Sequence, residues 1–154
     1  MLSQQIRTCG QGWINNGNHG SNGNSSDNNY IVGNCGFNDC NAGEFRDFFQ
    51  FSIPSFSGPI LTADLVLQTW STVLDQSPSL TYQVTSLPAT FGFGDLGTGT
   101  VDGTRIYTST DANMTELIPL DAAAFTDIKA AGGDTFGVGG RAISAITFGP
   151  TAQD

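Results

Sequence analysis

Basic side chains are scarce in this 154-residue chain: one Lys and four Arg stand against fourteen Asp and Glu, a formal charge of −9. Proteins that neutralise phosphates need a stripe of Lys and Arg, so nucleic acid is not an expected partner, and an anionic lipid surface is disfavoured for the same reason. The electrostatic complement is a basic protein surface or a divalent cation. Long apolar runs are also missing. No stretch approaches the roughly 18 apolar residues that cross a bilayer, and the opening Met1-Leu-Ser-Gln-Gln-Ile-Arg-Thr-Cys9 lacks a signal-peptide hydrophobic region. The expectation is a chain made in the cytosol that stays there, leaves by another route or joins a particle released by lysis; the alternative is a chain whose signal has been removed. With a single His, no Gly-x-Ser-x-Gly, no phosphate loop and no His-Glu-x-x-His, little is left for catalysis. A carboxylate pair acting on a glycosidic bond stays open only because Asp and Glu are scattered along the chain.

Charged residues make up 12% of the sequence, against about 25% in ordinary soluble domains. Solubility therefore rests on Asn, Ser, Thr and Gly. Eleven Phe and only two Met complete a β-rich, extracellular or virion-like profile. The length suits one domain with one core: an N-terminal strand and Gly/Asn-rich loops over 1–43, belonging to the same unit as a β-sandwich core over 44–154.

Within the Gly/Asn-rich stretch of residues 10–43, Asn29-Tyr30-Ile31-Val32-Gly33 reads as one short strand between loops. From Glu44 to Ile53, Phe45, Phe49, Phe51 and Ile53 share one face while Arg46, Phe48, Gln50 and Ser52 share the other. Phe48 on the second face predicts a central strand or one facing a partner. Residues 59–69 alternate likewise, with Leu61, Ala63, Leu65 and Leu67 inward. Weaker strands are expected at 80–86, 104–108, 115–119, 135–139 and 143–148, separated by Gly, Pro, Asp and Ser clusters at sandwich spacing. One helix is expected near 122–131: Asp121 can cap its start, Phe125 and Ile128 share a face, and Gly132 can take the left-handed position after its end. The predicted fold is an all-β, jelly-roll-like antiparallel sandwich with that helix packed on its edge as a crossover.

The order Gly12-Trp13, Gly17, His19, Asn29-Tyr-Ile-Val-Gly33, Glu44-Phe-Arg-Asp-Phe-Phe-Gln-Phe51 and Ala63-Asp-Leu-Val-Leu67 resembles an uncharacterised bacterial family of extracellular β-sandwich domains, common in cyanobacteria and often ending in a PEP-CTERM sorting tail. In that family a variant of Arg-Asp-Phe-Phe-x-Phe precedes a second alternating strand. Ile118-Pro-Leu120 ahead of an Ala-rich helix, and Gly132-Gly-Asp-Thr-Phe-Gly-Val-Gly-Gly140, resemble its later pieces, so the likeness runs from about Trp13 to Ala145. It implies the fold and no catalytic residues. The sequence departs from the secreted pattern in having neither leader nor sorting tail, ending Thr-Ala-Gln-Asp. In size and character it resembles a capsid cement protein of a cyanobacterial phage, a class that is small, β-rich and self-associating.

Cys35 and Cys40, with four residues between them, are close enough for a local disulfide. Cys9 would then be free or bridge two molecules; Cys9–Cys40 or Cys9–Cys35 is a near-equal alternative. With His19 the thiols give Cys-x9-His-x15-Cys-x4-Cys, which matches no compact zinc finger; His19 reads better as a loop residue bonding backbone. Asp27, Asp39, Glu44, Asp95 and Asp102 could offer oxygen to calcium, yet no calcium-loop pattern appears, and turn formation accounts for most of them. Trp13, Trp70, Tyr30, Tyr82 and Tyr107 could form a sugar-stacking platform. Trp70, ending a strand, is placed at the rim or in the core. Trp13 lies in a polar loop and is the better exposed candidate, although a plug at the sandwich end is favoured over it. The sequons at Asn24 and Asn113 carry no weight in so polar a chain.

The expected function is therefore structural and non-enzymatic: a capsid decoration protein on the virion surface, without a cofactor, held to a major capsid or other surface protein and self-associating, most simply as a dimer. Trp13, Tyr30 and Phe48 are its candidate interaction residues. A secreted carbohydrate-binding or calcium-dependent adhesion module is the alternative.

Overall fold

The computed structural model describes residues 4–16, 20–21, 30–35, 43–70, 78–143 and 147–148. Among these, the elements run β1 (Thr8–Asn15), β2 (Gly20–Ser21), β3 (Gly33–Cys35), β4 (Gly43–Ser52), β5 (Asp64–Gln68), β6 (Leu80–Ser86), β7 (Val101–Tyr107), β8 (Thr115–Pro119), α1 (Ala122–Ala130), β9 (Thr135–Ala142) and β10 (Thr147–Phe148). The all-β sandwich with one short helix is the observed fold, but its layers are unequal. The large sheet runs β2-β1-β4-β9-β6-β7, antiparallel throughout, with β3 beside the start of β4 and β10 parallel to β3. The second layer is the two-stranded ribbon β5–β8, whose Leu65 and Ile118 are paired.

β4 is covered on both faces, although only one of its phases is mainly apolar and the other carries Phe48 among Glu44, Arg46, Gln50 and Ser52. Phe45 through Phe49 are all buried. One phase, with Phe49 and Ile53, packs into a core shared with Leu65, Leu67, Tyr82, Val84, Ile118 and Val138. The other carries Arg46 and Phe48, and the chain's own segment after β6 covers it: Phe91 lies 5.0 Å from Phe48, and Arg46 bonds to the carbonyls of Phe93 and Leu96. A central position is thus what the sequence foretold; a partner on the Phe48 side is unnecessary.

Several boundaries differ from expectation. β1 is the N-terminal strand expected within 1–43, but it runs on through 10–15, which read as loop, because Gly10 and Gly12 sit opposite the bulky Gln50 and Phe48 of β4; a side chain at Gly10 would meet Gln50 Oε1 at 2.9 Å. β3 begins at Gly33, later than the Asn29 segment. β5 is shorter than 59–69: its ladder with β8 closes where Leu120 N–H bonds Ala63 O, which leaves Leu61 59% exposed instead of inward. β7 starts earlier than 104 and β9 runs on to Ala142. Of the expected strand 143–148, only β10 at 147–148 is found, and 144–146 lie outside the described residues.

The helix follows its signals with one change. Asp121 accepts from the amides of Ala123 and Ala124. Its buried side chain is Ala124, with Phe125 and Ile128 half-buried. The left-handed residue is Gly133, at φ 89°, one later than Gly132, and its N–H bonds Ile53 O. α1 links the ribbon to β9 and touches β6 and β7, an edge crossover as predicted.

Candidate interaction surface

The hydrogen bonds that extend the ribbon's own ladder fix which of its carbonyls reach the edges. Thr69 N–H bonds Met114 O, and Leu120 N–H bonds Ala63 O, so by the two-residue period of an antiparallel ladder the carbonyls of Val66, Gln68 and Leu117 point to the ribbon's edges. There Tyr30 Oη donates to Gln68 O at 2.7 Å, and Arg105 Nη1 to Leu117 O at 3.4 Å. One clasp on each edge holds the ribbon down. Leu65, Leu67 and Ile118 then face the core, and the opposite phase faces solvent: Val66 and Leu117, paired directly across the ribbon, are 49% and 53% exposed, and Trp70 beyond them is 56% exposed. Between them Thr115 Oγ1 donates to Gln68 Oε1 at 2.7 Å. The outcome is an apolar stripe broken by one polar pair. Trp70 is accordingly not in the core: the outward phase of β5 continues through it, two residues past the strand's end.

Of the aromatic residues singled out from sequence, Trp70 alone lies on this face, and the candidate interaction residues Trp13, Tyr30 and Phe48 do not. Phe48 is buried beneath Phe91. Tyr30 is half-buried, packs edge-on against Phe49 with ring centres 5.2 Å apart, and serves as the ribbon clasp; burial drives its hydroxyl pKa well up. Trp13 is half-buried on β1, tilted against Phe45 at 5.2 Å. Tyr82 and Tyr107 are core residues, so no aromatic platform forms from the five. Cys9 has a free, exposed thiol at the register shift between Thr8 and Gly10; Cys9–Cys35 and Cys9–Cys40 bonds are not made. Cys35 contributes its backbone to β3, while Cys40 and the side chain of Cys35 lie outside the described residues.

The acidic candidates are likewise separated. Glu44 forms a paired bridge to Arg46, with Nε–Oε1 at 2.8 Å and Nη2–Oε2 at 3.0 Å. Asp95 closes its own turn by accepting from Gly92 N–H at 2.9 Å. Asp102 is buried and accepts from Ser86 Oγ at 2.7 Å. Its pKa is raised by burial, Ser86 opposing the shift, with the carboxylates of Asp127 and Asp121 adding to it. His19, Asp27 and Asp39 lie outside the described residues. Among the described residues no three His, Cys, Asp or Glu are arranged to hold a metal ion. A groove of about 470 Å³ runs between α1 and the end of β6, walled by Leu87, Pro88, Asp127, Ala130 and Phe136.

One charged group was missed by the sequence reading. Asp47, in phase with Phe45 and Phe49, is completely buried. Tyr82 Oη donates to its Oδ1 at 2.8 Å and Oδ2 has no partner. Desolvation pushes its pKa up to about 7, with the Tyr82 hydroxyl pulling the other way. Arg105 bridges Glu116 and, at 3.4 Å, Asp111, so its charge is already engaged.

No protein-family model matches the chain, and no curated protein matches it in sequence.

Proposed function

We propose that this chain is a non-enzymatic structural protein that binds a protein surface through the outer face of its β5–β8 ribbon, as a cement or decoration protein seated on a major capsid protein at the virion surface. The observation that carries the reading is the exposed stripe of Val66, Leu117 and Trp70 on a layer only two strands wide. Apolar side chains gathered on one exposed face of a protein point to an interaction site. The charge of −9 favours a partner whose surface around the contact is neutral or basic. The resemblance to extracellular sandwich domains and to cement proteins agrees with a binding role. Self-association as a dimer belongs to the same reading, with Cys9 exposed on β1.

Leu117→Asp tests it, because a charge placed on an exposed strand position changes stability by only about 0.5 kcal/mol while burying it in an interface costs far more. Wild-type protein mixed with the particle fraction of its source is expected to sediment with the particles in fixed stoichiometry, and the variant to stay in the supernatant with an unchanged melting temperature. Equal sedimentation of both, or recovery of the wild type as a particle-free monomer, rejects the reading. A second reading, glycan binding, rests on the flat, exposed indole of Trp70. It predicts that Trp70→Ala abolishes retention on polysaccharide while Leu117→Asp leaves it intact.

A further inference from the structure

We propose that ionisation of Asp47 loosens the β5–β8 ribbon from the sheet, so that the ribbon is firmly seated in acid and opens more readily in neutral and alkaline solution. The inference concerns the free chain and does not depend on what the ribbon binds.

The argument starts from what surrounds the carboxyl. Asp47 sits mid-strand on β4 with its side chain in the core and 0% exposed. Its lateral neighbours are Trp13 on β1 and Gly140 on β9, neither of which brings a charge. A methyl at Gly140 would overlap both Tyr82 Oη and Asp47 Oδ1, so this side of the carboxyl is closed by backbone. From the other elements come Tyr82 on β6, Tyr107 on β7 and Tyr30 ahead of β3, with Glu116 on β8 acting on the last two of these tyrosines. The first three are neutral donors and the last is an acid. Arg105 on β7 is taken up by Glu116 and Asp111.

An ionised Asp47 has hydrogen bonds from the Tyr82 hydroxyl and from the backbone at Gly140 and at Asp47 itself but no counter-ion of its own, and burial outweighs them because low-dielectric surroundings penalise an unpaired charge heavily. A neutral Asp47 is compatible with the site and gains a donor at Oδ2. Tyr107 Oη, in the same core, is a second buried oxygen without a partner. Once charged, the group is relieved only if water reaches it. The sides of β4 are closed by continuous ladders to β1 and β9. The ribbon is the lighter cover: it is held by Leu65, Leu67 and Ile118, by the two edge clasps from Tyr30 and Arg105 and by the Arg105–Glu116 ion pair, with no continuous backbone ladder to the large sheet. Lifting it is the least costly path for water.

The test is amide hydrogen exchange on the free chain from pH 5 to 8.5, corrected for the intrinsic pH dependence of exchange. For the wild type, the opening constant of the β5 and β8 amides is expected to rise about tenfold per pH unit up to neutrality and then level off, with the β4–β9 ladder as the internal reference. Asp47→Asn, which keeps an acceptor for Tyr82 and removes the charge, is expected to flatten that profile. A flat wild-type profile, or an Asn variant that keeps the rise, overturns the proposal. Should the Asn variant not fold, the carboxyl-carbon titration of Asp47 in the wild type decides: a midpoint near neutrality supports the proposal and one at the ordinary carboxylate value overturns it. Leu117→Asp, which abolishes docking in the reading above, should retain the pH dependence, so the two ideas fail separately.

Discussion

Replacing Arg46 by Met asks what fastens the segment over the second face of β4. The guanidinium makes two bonds to Glu44, donates from Nη1 to the carbonyls of Phe93 and Leu96 at 3.2 Å each, and lies 4.2 Å from the centre of the Phe93 ring. Methionine keeps most of the apolar stem packing, so the loss is chiefly polar. Glu44 is partly exposed, with 27% of its side chain accessible, and its bridge contributes at most about 1 kcal/mol. The two carbonyl bonds are charge-assisted and worth about 1.5–3 kcal/mol each. Leu96 is fully buried, so water does not easily replace the lost donor at its carbonyl. Allowing for relaxation of the more accessible Phe93 carbonyl, the variant should lose about 3–4 kcal/mol, a large part of the 5–15 kcal/mol that holds a domain together. In urea, with a slope of about 2 kcal/mol per molar, the midpoint should fall by about 1.5–2 M. Glu44→Gln should cost about 1 kcal/mol or less. An Arg46→Met midpoint within about 0.5 M of wild type, or a Glu44→Gln loss as large as that of Arg46→Met, refutes the assignment of Arg46 as the clamp.

Three further outcomes are expected. Gly140→Ala drives a methyl into Tyr82 Oη and Asp47 Oδ1; overpacking and the broken bond together should cost about 3 kcal/mol and lower the melting temperature by about 10 °C, and a shift of only a degree or two would contradict the packing described. Asp121→Ala removes the N-cap of α1 and should cost about 1 kcal/mol, largely restored by Asn at the same position; equal losses for Ala and Asn would rule out capping as the cause. Global stability should also fall as pH rises. Burial raises the folded pKa of Asp47 to about 7, so the stability held by its neutral form is complete below the unfolded value near 4 and is lost as pH climbs through about 7, a span of order 4 kcal/mol. Denaturant titrations at pH 4, 6 and 8 check this, and a stability that is flat or rising over that range contradicts it.

The legible parts of this sequence were those where local chemistry and tertiary demand agree. The Phe-rich alternation of β4, the bounds of β6 and β8 and the Asp121 cap were all readable before the fold was known. The misreadings have distinct physical sources. β1 hid among glycines that look like turn formers but stand opposite Phe48 and Gln50, where a small residue suits a crowded ladder. Leu61 kept the phase of Leu65 and Leu67, yet strand length is set by where β8 runs out at Pro119, which no local pattern records. Asp47 was visible as a charge in phase with Phe45 and Phe49; its significance depends on Gly140 and Tyr82, distant in sequence and brought beside it only by β9 and β6.

The ribbon poses a question that β4 helps to answer. A strand with one face in water should alternate apolar and polar residues, whereas one covered on both faces is apolar in both phases. β4 carries Phe48 in an otherwise polar second phase, and that face is covered there, by the segment that brings Phe91 onto Phe48. β5 reads Leu65-Val66-Leu67 and β8 reads Leu117-Ile118, each likewise with an apolar residue in its second phase. Their inner phase is buried, but among the described residues their outer phase stays open, with Val66 and Leu117 each about half exposed. Burial in the core gives no reason for a Val-Leu pair on the outside of a ribbon whose outward positions also include the polar Asp64, Gln68 and Thr115. A surface that is covered in the working assembly supplies one. On that argument substitutions at Val66 and Leu117 should be nearly silent in the isolated chain and costly wherever the ribbon face is buried.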